Sequence, residues 1–540
     1  MLATSERRGA IAAGAGALVF IGLVVLVAVW GLLRTSMGMT ADGGGFDAYI
    51  WRITRFTLVQ ALLSTALSIG FALPVARALA RRPHFLGRNW LLRLFAVPLG
   101  LPAIVAALGL IGIWGRQGFV NDALGSAGLD APISIYGLPG ILLAHVFFNM
   151  PLAARLILAE LERTPAEYWR TAAQLGLPSG RVFRIIEWPA IVRVLPGVAG
   201  LVFMLCATSF TLVLLLGGGP GATTIEVAIY QSLRFDFDPG RAVLLALLQI
   251  GLTATILLAL SILPRAEEGP TAGAIVRRFD ASGRVGTAVD TLFIGFGAAF
   301  VVSPLVAVAI SGLAADLGRL AGESSVRDAA LTSLSVAFMA ASLSLCLATA
   351  AIYARHAADR RNGSRWHNAF RTTLGATTSL ILLVPPVVLG AGWFVFLRGK
   401  VDVFAAAPVV VVGINALMAL PFVMRVLEPA HRSHAMRTDH LSAQLGLTGL
   451  NRLRRIDVPA LIRPVSMAAA FAMALSLGDL GAVALFGNQD FVTLPYLLLQ
   501  RMGSYRTDDA AGLALLIGVV CLLLMMLGTR SMPSGGSGTV

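Results

Sequence analysis

Residues 173–193 read AQLGLPSGRVFRIIEWPAIVR, and residues 443–463 read AQLGLTGLNRLRRIDVPALIR. The two stretches align without a gap, 270 positions apart. The same offset pairs Pro151 with Pro421, Arg155 with Arg425 and Gly217 with Gly487. Inside the stretches it pairs Arg184, Ile186, Pro189, Ala190 and Arg193 with Arg454, Ile456, Pro459, Ala460 and Arg463. Chance matches between membrane segments are made of Ala and Leu, whereas this set is rich in Pro, Arg, Gln and Gly. The chain therefore reads as a duplication. Both copies run in the same direction, so the repeats are parallel and related by an axis along the membrane normal.

Composition fixes the solvent of these repeats. Of the 540 residues, 57% are hydrophobic and 13% charged, and the mean hydropathy is +0.81. A soluble domain is about half apolar and a quarter charged, so a disordered chain and an ordinary soluble enzyme are both disfavoured. Runs long enough to cross a bilayer as helices cover residues 9–33, 56–76, 94–115, 131–154, 194–216, 242–263, 291–315, 329–354, 372–397, 403–424, 464–486 and 510–529. The expected fold is an all-α integral membrane protein of about twelve spans in two fused six-span halves. The first half covers 1–263 with its core at about 56–263, and the second covers 288–530 with its core at about 329–529. Residues 264–287 read as a cytoplasmic linker, and the Gly/Ser-rich 531–540 as a disordered tail.

The net charge is +14, and Lys400 is the one lysine among 42 basic residues. The arginines sit in short loops between apolar runs, the pattern of positive-inside anchoring against anionic lipid rather than of nucleic-acid binding. The loop after the second run holds Arg77, Arg81, Arg82, Arg88 and Arg93 with no acid. Its counterpart after the eighth run holds Arg355, Arg360, Arg361, Arg365 and Arg371 against Asp359 alone. Both termini are thus expected in the cytoplasm. Cys206, Cys346 and Cys521 are scattered through apolar runs and read as small core residues, neither a metal cluster nor a disulfide framework.

The strongest repeat matches fall in a loop, the segments at 160–193 and 428–463, and not in a span. Gln-Leu-Gly, then arginines on a helical period, then Ile-x-x-Pro predicts a short amphipathic helix lying along the membrane. Arg181, Arg184, Arg193, Arg452, Arg454, Arg455 and Arg463 would face water or a partner. A loop duplicated in fixed register argues for a docking surface.

These loops resemble the EAA loop of type I ABC-importer permeases. Gly176, Ile186 and Pro189, and Gly446, Ile456 and Pro459, fit its spacing, while Arg170-Thr171-Ala172 and His440-Leu441-Ser442 stand where the family has Glu-Ala-Ala. The resemblance implies that Ala173, Gln174, Gly176, Ile186 and Pro189, with Ala443, Gln444, Gly446, Ile456 and Pro459, dock on a separate ATP-hydrolysing subunit. That subunit, expected as a homodimer, would bind the ATP and Mg; no cofactor is expected on this chain. The stretches 476–487, 493–496 and 502–507, with 207–220 and 223–230, are similar to permeases of thiamine importers. The resemblance implies a bacterial inner-membrane location, a periplasmic thiamine-binding protein as partner, and thiamine or its phosphates as cargo. Permeases for ferric iron or another small cation share the fused layout and are the alternative.

A nucleotide site of its own is excluded, because a P-loop needs Gly-Lys followed by Ser or Thr and Lys400 precedes Val401. A gradient-driven secondary transporter, the other class of transporter, would carry ionisable residues in several spans. Here Asp479 interrupts the eleventh run, and Ser209 stands opposite it in the repeat. Asp479 and Ser209 are the candidate translocation residues, since an acid inside a membrane is functional by default. Equally, Asp479 could cap a Gly-broken helix. His145, Asn149 and Asn415 read as interhelical hydrogen-bonding residues.

Overall fold

The computed structural model describes residues 4–37, 47–128, 134–262, 278–281, 283–359, 365–381, 384–447 and 449–530. Most of the expected linker 264–287 and the whole tail 531–540 lie outside the described residues. Every regular element among the described residues is helical. Eleven of these helices are long and apolar enough to cross a membrane, and Pro386–Leu397 is a shorter apolar helix. The result is an all-α membrane protein of about twelve spans.

Four of the expected spans are not continuous helices, and the run at 94–115 divides into Val97–Gly100 and Ala103–Trp114 on either side of Leu101-Pro102. The run at 372–397 divides into Arg365–Leu380 and Pro386–Leu397, separated at Pro385-Pro386. Pro386 lacks an N–H and forces Pro385 into an extended conformation (ψ 154°). The runs at 194–216 and 464–486 break at matching places. Trp188–Ala207 is followed by the short helix Thr211–Leu216, and Val458–Leu477 by Gly481–Phe486.

The chain folds into two compact units that cut across the sequence halves. One unit contains Phe46–Ala228 and Gly251–Ala314. In it the first helix of the second half, Arg284–Ala314, packs on Ala103–Trp114 and Ala48–Arg81. Gly109 permits the approach: a Cβ there would lie 2.4 Å from the Pro304 carbonyl oxygen. The other unit contains Met1–Gly45, Ile229–Ile250 and Ala315–Val540. In it the N-terminal helix Thr4–Met37 packs on Ser324–Asp359 and Pro386–Leu397. Gly31 and Gly392 make the second contact, since a Cβ on Gly392 would lie 2.4 Å from the Ala28 carbonyl oxygen. Trp393 Nε1 adds a hydrogen bond to the Val24 carbonyl (3.0 Å). The opposite face of that helix shows Val19, Leu23, Leu26 and Trp30 to the exterior, as a membrane span requires. The 1–263 and 288–530 halves therefore describe the duplication, while packing exchanges the first helix of each.

Candidate functional site

The turns that open the two repeated segments, at Gly176 and Gly446, share one backbone solution. Gly176 has φ +57° and Gly446 φ +62°, a region that costs an L-residue its Cβ clearance. In both, the N–H of the following leucine closes the turn: Leu177 donates to the Ala172 carbonyl and Leu447 to the Ser442 carbonyl, each at 3.0 Å. The tips expose Leu175 and Leu445 together with Gln174 and Gln444. Ala173 is half-buried, Ile186 and Ile456 are half-buried, and Pro189 and Pro459 are exposed. Of Ala443 only the helical backbone is among the described features.

The arginine-bearing stretch after each glycine is not the separate surface helix expected. Ser179–Val182 passes through a π-helical turn, Phe183–Glu187, straight into Trp188–Ala207. In the second half Gly449–Arg452 and Leu453–Asp457 lead into Val458–Leu477 in the same way. The extra residue of each π turn swings one acid inward. Glu187 and Asp457 are both buried. Arg181, Arg184, Arg193, Arg454, Arg455 and Arg463 are exposed as expected, but Arg452 is buried. Its guanidinium pairs with Asp439 (2.5 Å) and Asp457 (3.5 Å), whose desolvated charges pull it inward.

Below the first turn, Glu187 accepts from Arg77 (2.7 Å) and pairs with Arg278 (2.6 Å). Arg278 also pairs with Asp280 (2.9 Å) and lies 4.2 Å over the Trp169 ring. Arg81 and Arg82 both reach Asp290, at 3.3 and 3.0 Å. These contacts tie the first turn to the helix Ala48–Arg81 and to the described end of the linker. A cavity of about 200 Å³ remains between Trp169, Gly176, Val182 and Arg278. Below the second turn, Asp457 accepts from His434 (2.9 Å), and the Tyr353 hydroxyl lies 3.5 Å away. Asp439 pairs with His356 at 3.1 Å.

The interior polar residues form a second, repeated pattern. Asn149 donates to Cys206 Sγ (3.3 Å), and Asn415 donates to Ser476 Oγ (2.9 Å), each just before the break in its partner helix. His145 Nδ1 sits 2.9 Å from Ser64 Oγ. All three are the interhelical bonds expected of such residues. Past the break, the Ile225 N–H donates to Thr57 Oγ1 (3.1 Å), starting the helix Ile225–Arg234. The Leu494 N–H likewise donates to Ser333 Oγ (2.7 Å), starting Leu494–Gly503.

Asp479 lies in the break before Gly481–Phe486, and its two oxygens accept from the Gly481 and Ala482 N–H groups at 3.3 and 3.4 Å. That is a capping geometry. Ser209 lies half-buried in the matching break. The acid that stands out is Glu226, which sequence reasoning does not single out. It is wholly buried, and among the described residues neither carboxylate oxygen has a hydrogen-bond partner. Its signal in the sequence is a single acid in the otherwise apolar run Ile225-Glu226-Val227-Ala228-Ile229.

Among the described residues no group of His, Cys, Asp or Glu is placed to hold a metal ion. Lys400 lies beside a turn with its amino group 3.4 Å from the Phe396 ring centre. Cys206 and Cys521 are buried as expected of core residues, but Cys346 is exposed.

The sequence pattern of the binding-protein-dependent transport system inner membrane component family matches residues 68–266. The chain is 52% identical to the thiamine transport system permease protein ThiP of Brucella abortus (strain 2308), over 99% of each chain. It is 42% identical to the protein of that name from Escherichia coli (strain K12), over 88% of each, and 37% identical to that of Haemophilus influenzae, again over 88% of each. It is a multi-pass permease subunit and not an enzyme. With full-length identity of this order and a helical membrane architecture, the chain belongs to the same family as these thiamine transport system permeases, inner-membrane components of binding-protein-dependent transport.

Proposed function

We propose that this chain is the permease subunit of a bacterial thiamine importer, with both termini in the cytoplasm. The observation that carries the reading is 52% identity to a thiamine transport permease over 99% of both chains. The reading brings two partners: a periplasmic thiamine-binding protein that delivers the substrate, and an ATP-hydrolysing subunit that supplies energy.

The mechanism rests on the two coupling turns. Each presents an exposed leucine and glutamine at a rigid left-handed glycine, Leu175 and Gln174 at Gly176, Leu445 and Gln444 at Gly446. Exposed apolar tips on a charged, well-anchored base suit docking in a groove of the ATPase homodimer. ATP and Mg stay on that partner. Closure of its nucleotide sites would push the turns, and the π-bulged helices that continue from them would carry the displacement into the membrane.

Reconstitution in vesicles tests the reading. The chain alone is expected to hydrolyse no ATP. With its ATPase and a thiamine-loaded binding protein it should hydrolyse ATP and accumulate thiamine with no ion gradient. Uptake that needs a gradient, or a complex that imports iron but no thiamine, would overturn the proposal.

A further inference from the structure

Glu226 poses a physical problem that its surroundings do not solve. It is fully enclosed, yet among the described residues both carboxylate oxygens lack a partner. An ionised carboxylate shut away from water is strongly destabilised unless a cation or donors compensate it. The nearest arginine along its helix, Arg234, is engaged eight residues on with the Gly487 carbonyl (3.0 Å) and the Tyr496 hydroxyl (3.1 Å). Two other polar groups of the same region, the Thr224 hydroxyl and Gln60 Oε1, are also buried without partners among the described residues. The segment is nonetheless firmly placed, because Thr57 holds the first N–H of the helix and Gln60 Nε2 donates to the Cys206 carbonyl at 2.9 Å.

The repeat sharpens the point. The 270 offset puts Tyr496 opposite Glu226, so the acid belongs to one half only. Asp479, by contrast, is occupied by two backbone N–H groups. Of these two acids beside the broken spans, the half-buried Asp479 is engaged by its own backbone and the wholly buried Glu226 is not. A positioned, unpartnered acid in a membrane permease suits a charge that comes and goes.

We propose that Glu226 is the counter-ion for the thiazolium cation of thiamine during its passage, sealed in this conformation and exposed when the permease opens. The inference rests on the proposed import of thiamine. Thiazolium carries a permanent positive charge, so a carboxylate compensates it by charge, where a neutral amide of the same shape cannot.

Vesicles containing the permease, its ATPase and thiamine-loaded binding protein provide the test, with wild type, Glu226→Gln and Glu226→Asp side by side. If wild type imports no thiamine, the proposed function fails and takes the counter-ion role with it. Given wild-type uptake, Glu226→Gln should assemble and keep its ATPase stimulation by loaded binding protein, while thiamine imported per ATP falls about tenfold, the worth of one charge-assisted contact. Glu226→Asp should keep most of the uptake. Normal uptake by Glu226→Gln overturns the proposal. So does an equal loss in Glu226→Asp, which would make shape rather than charge the requirement. Failure of both variants to assemble would assign the residue an architectural role and likewise overturn it.

Discussion

Glu187 and Asp457 occupy the same repeat position, one residue before the helices Trp188–Ala207 and Val458–Leu477, and both are buried by a π turn. Their partners differ. Glu187 is held by two guanidinium groups, Arg77 and Arg278, the second stacked on Trp169. Asp457 is held by the His434 ring, with Arg452 and the Tyr353 hydroxyl each at 3.5 Å. Arginine is always charged and presents a fixed fork, while an imidazole can be neutral and donate one bond. Duplication has thus kept the anchor and changed the clamp. The first turn rests on two guanidinium groups, and the second on an imidazole, a guanidinium and a phenol.

The largest expected effect comes from breaking the first clamp. Glu187→Gln removes the anion that two arginines share, one with a side chain only 3% exposed, and should cost about 3–5 kcal/mol. Thermal unfolding of the purified permease, together with protease cleavage after Arg278, would register it. Asp457→Asn should cost less, about 1–3 kcal/mol, because Arg452 keeps its ion pair with Asp439. Equal losses would erase the contrast between the two junctions.

Next come the turns themselves, where the halves should behave alike. Gly176→Val and Gly446→Val each force a β-branched residue into the left-handed region, at about 1–2 kcal/mol. A Cβ at either site meets nothing within 4 Å, so strain is confined to the backbone. Insertion in the membrane should survive while co-purification with the ATPase falls. Unchanged co-purification of either variant would remove that turn from docking.

Smaller still are the paired caps inside the membrane. Thr57→Val and Ser333→Ala each leave one buried N–H without its acceptor, a loss of about 1 kcal/mol that should appear as a lower melting temperature. The larger of the two shifts marks the half whose short helix depends more on its neighbour. Smallest is Asp479→Asn. Asn is itself a good cap, so stability should change by less than about 0.5 kcal/mol and thiamine uptake should stay close to normal. A severe loss of uptake at normal stability would return Asp479 to the translocation pathway.

The sequence carried the duplication, the helical membrane class and the position of the two glycine turns at Gly176 and Gly446, since these depend on local rules: run length, proline and glycine chemistry, and register. It also carried the signals for Glu187 and Asp457, acids repeated at one offset, although their inward direction was not legible. A π turn adds a residue to the helix and rotates the side chains beyond it, and no periodicity announces it. Arg452 shows the same limit: charge alone places an arginine outside, and only the buried carboxylates of Asp439 and Asp457 beside it bring it in. The packing of each half's first helix on the other half's core was equally beyond reach, because any apolar span can face any other, and the choice is made where Gly31, Gly392 and Gly109 let backbones touch. For Glu226 the sequence supplied an acid in an apolar run, and only tertiary structure revealed that no described neighbour answers its charge. Local chemistry is written along the chain, whereas a missing partner is a property of everything folded around a residue.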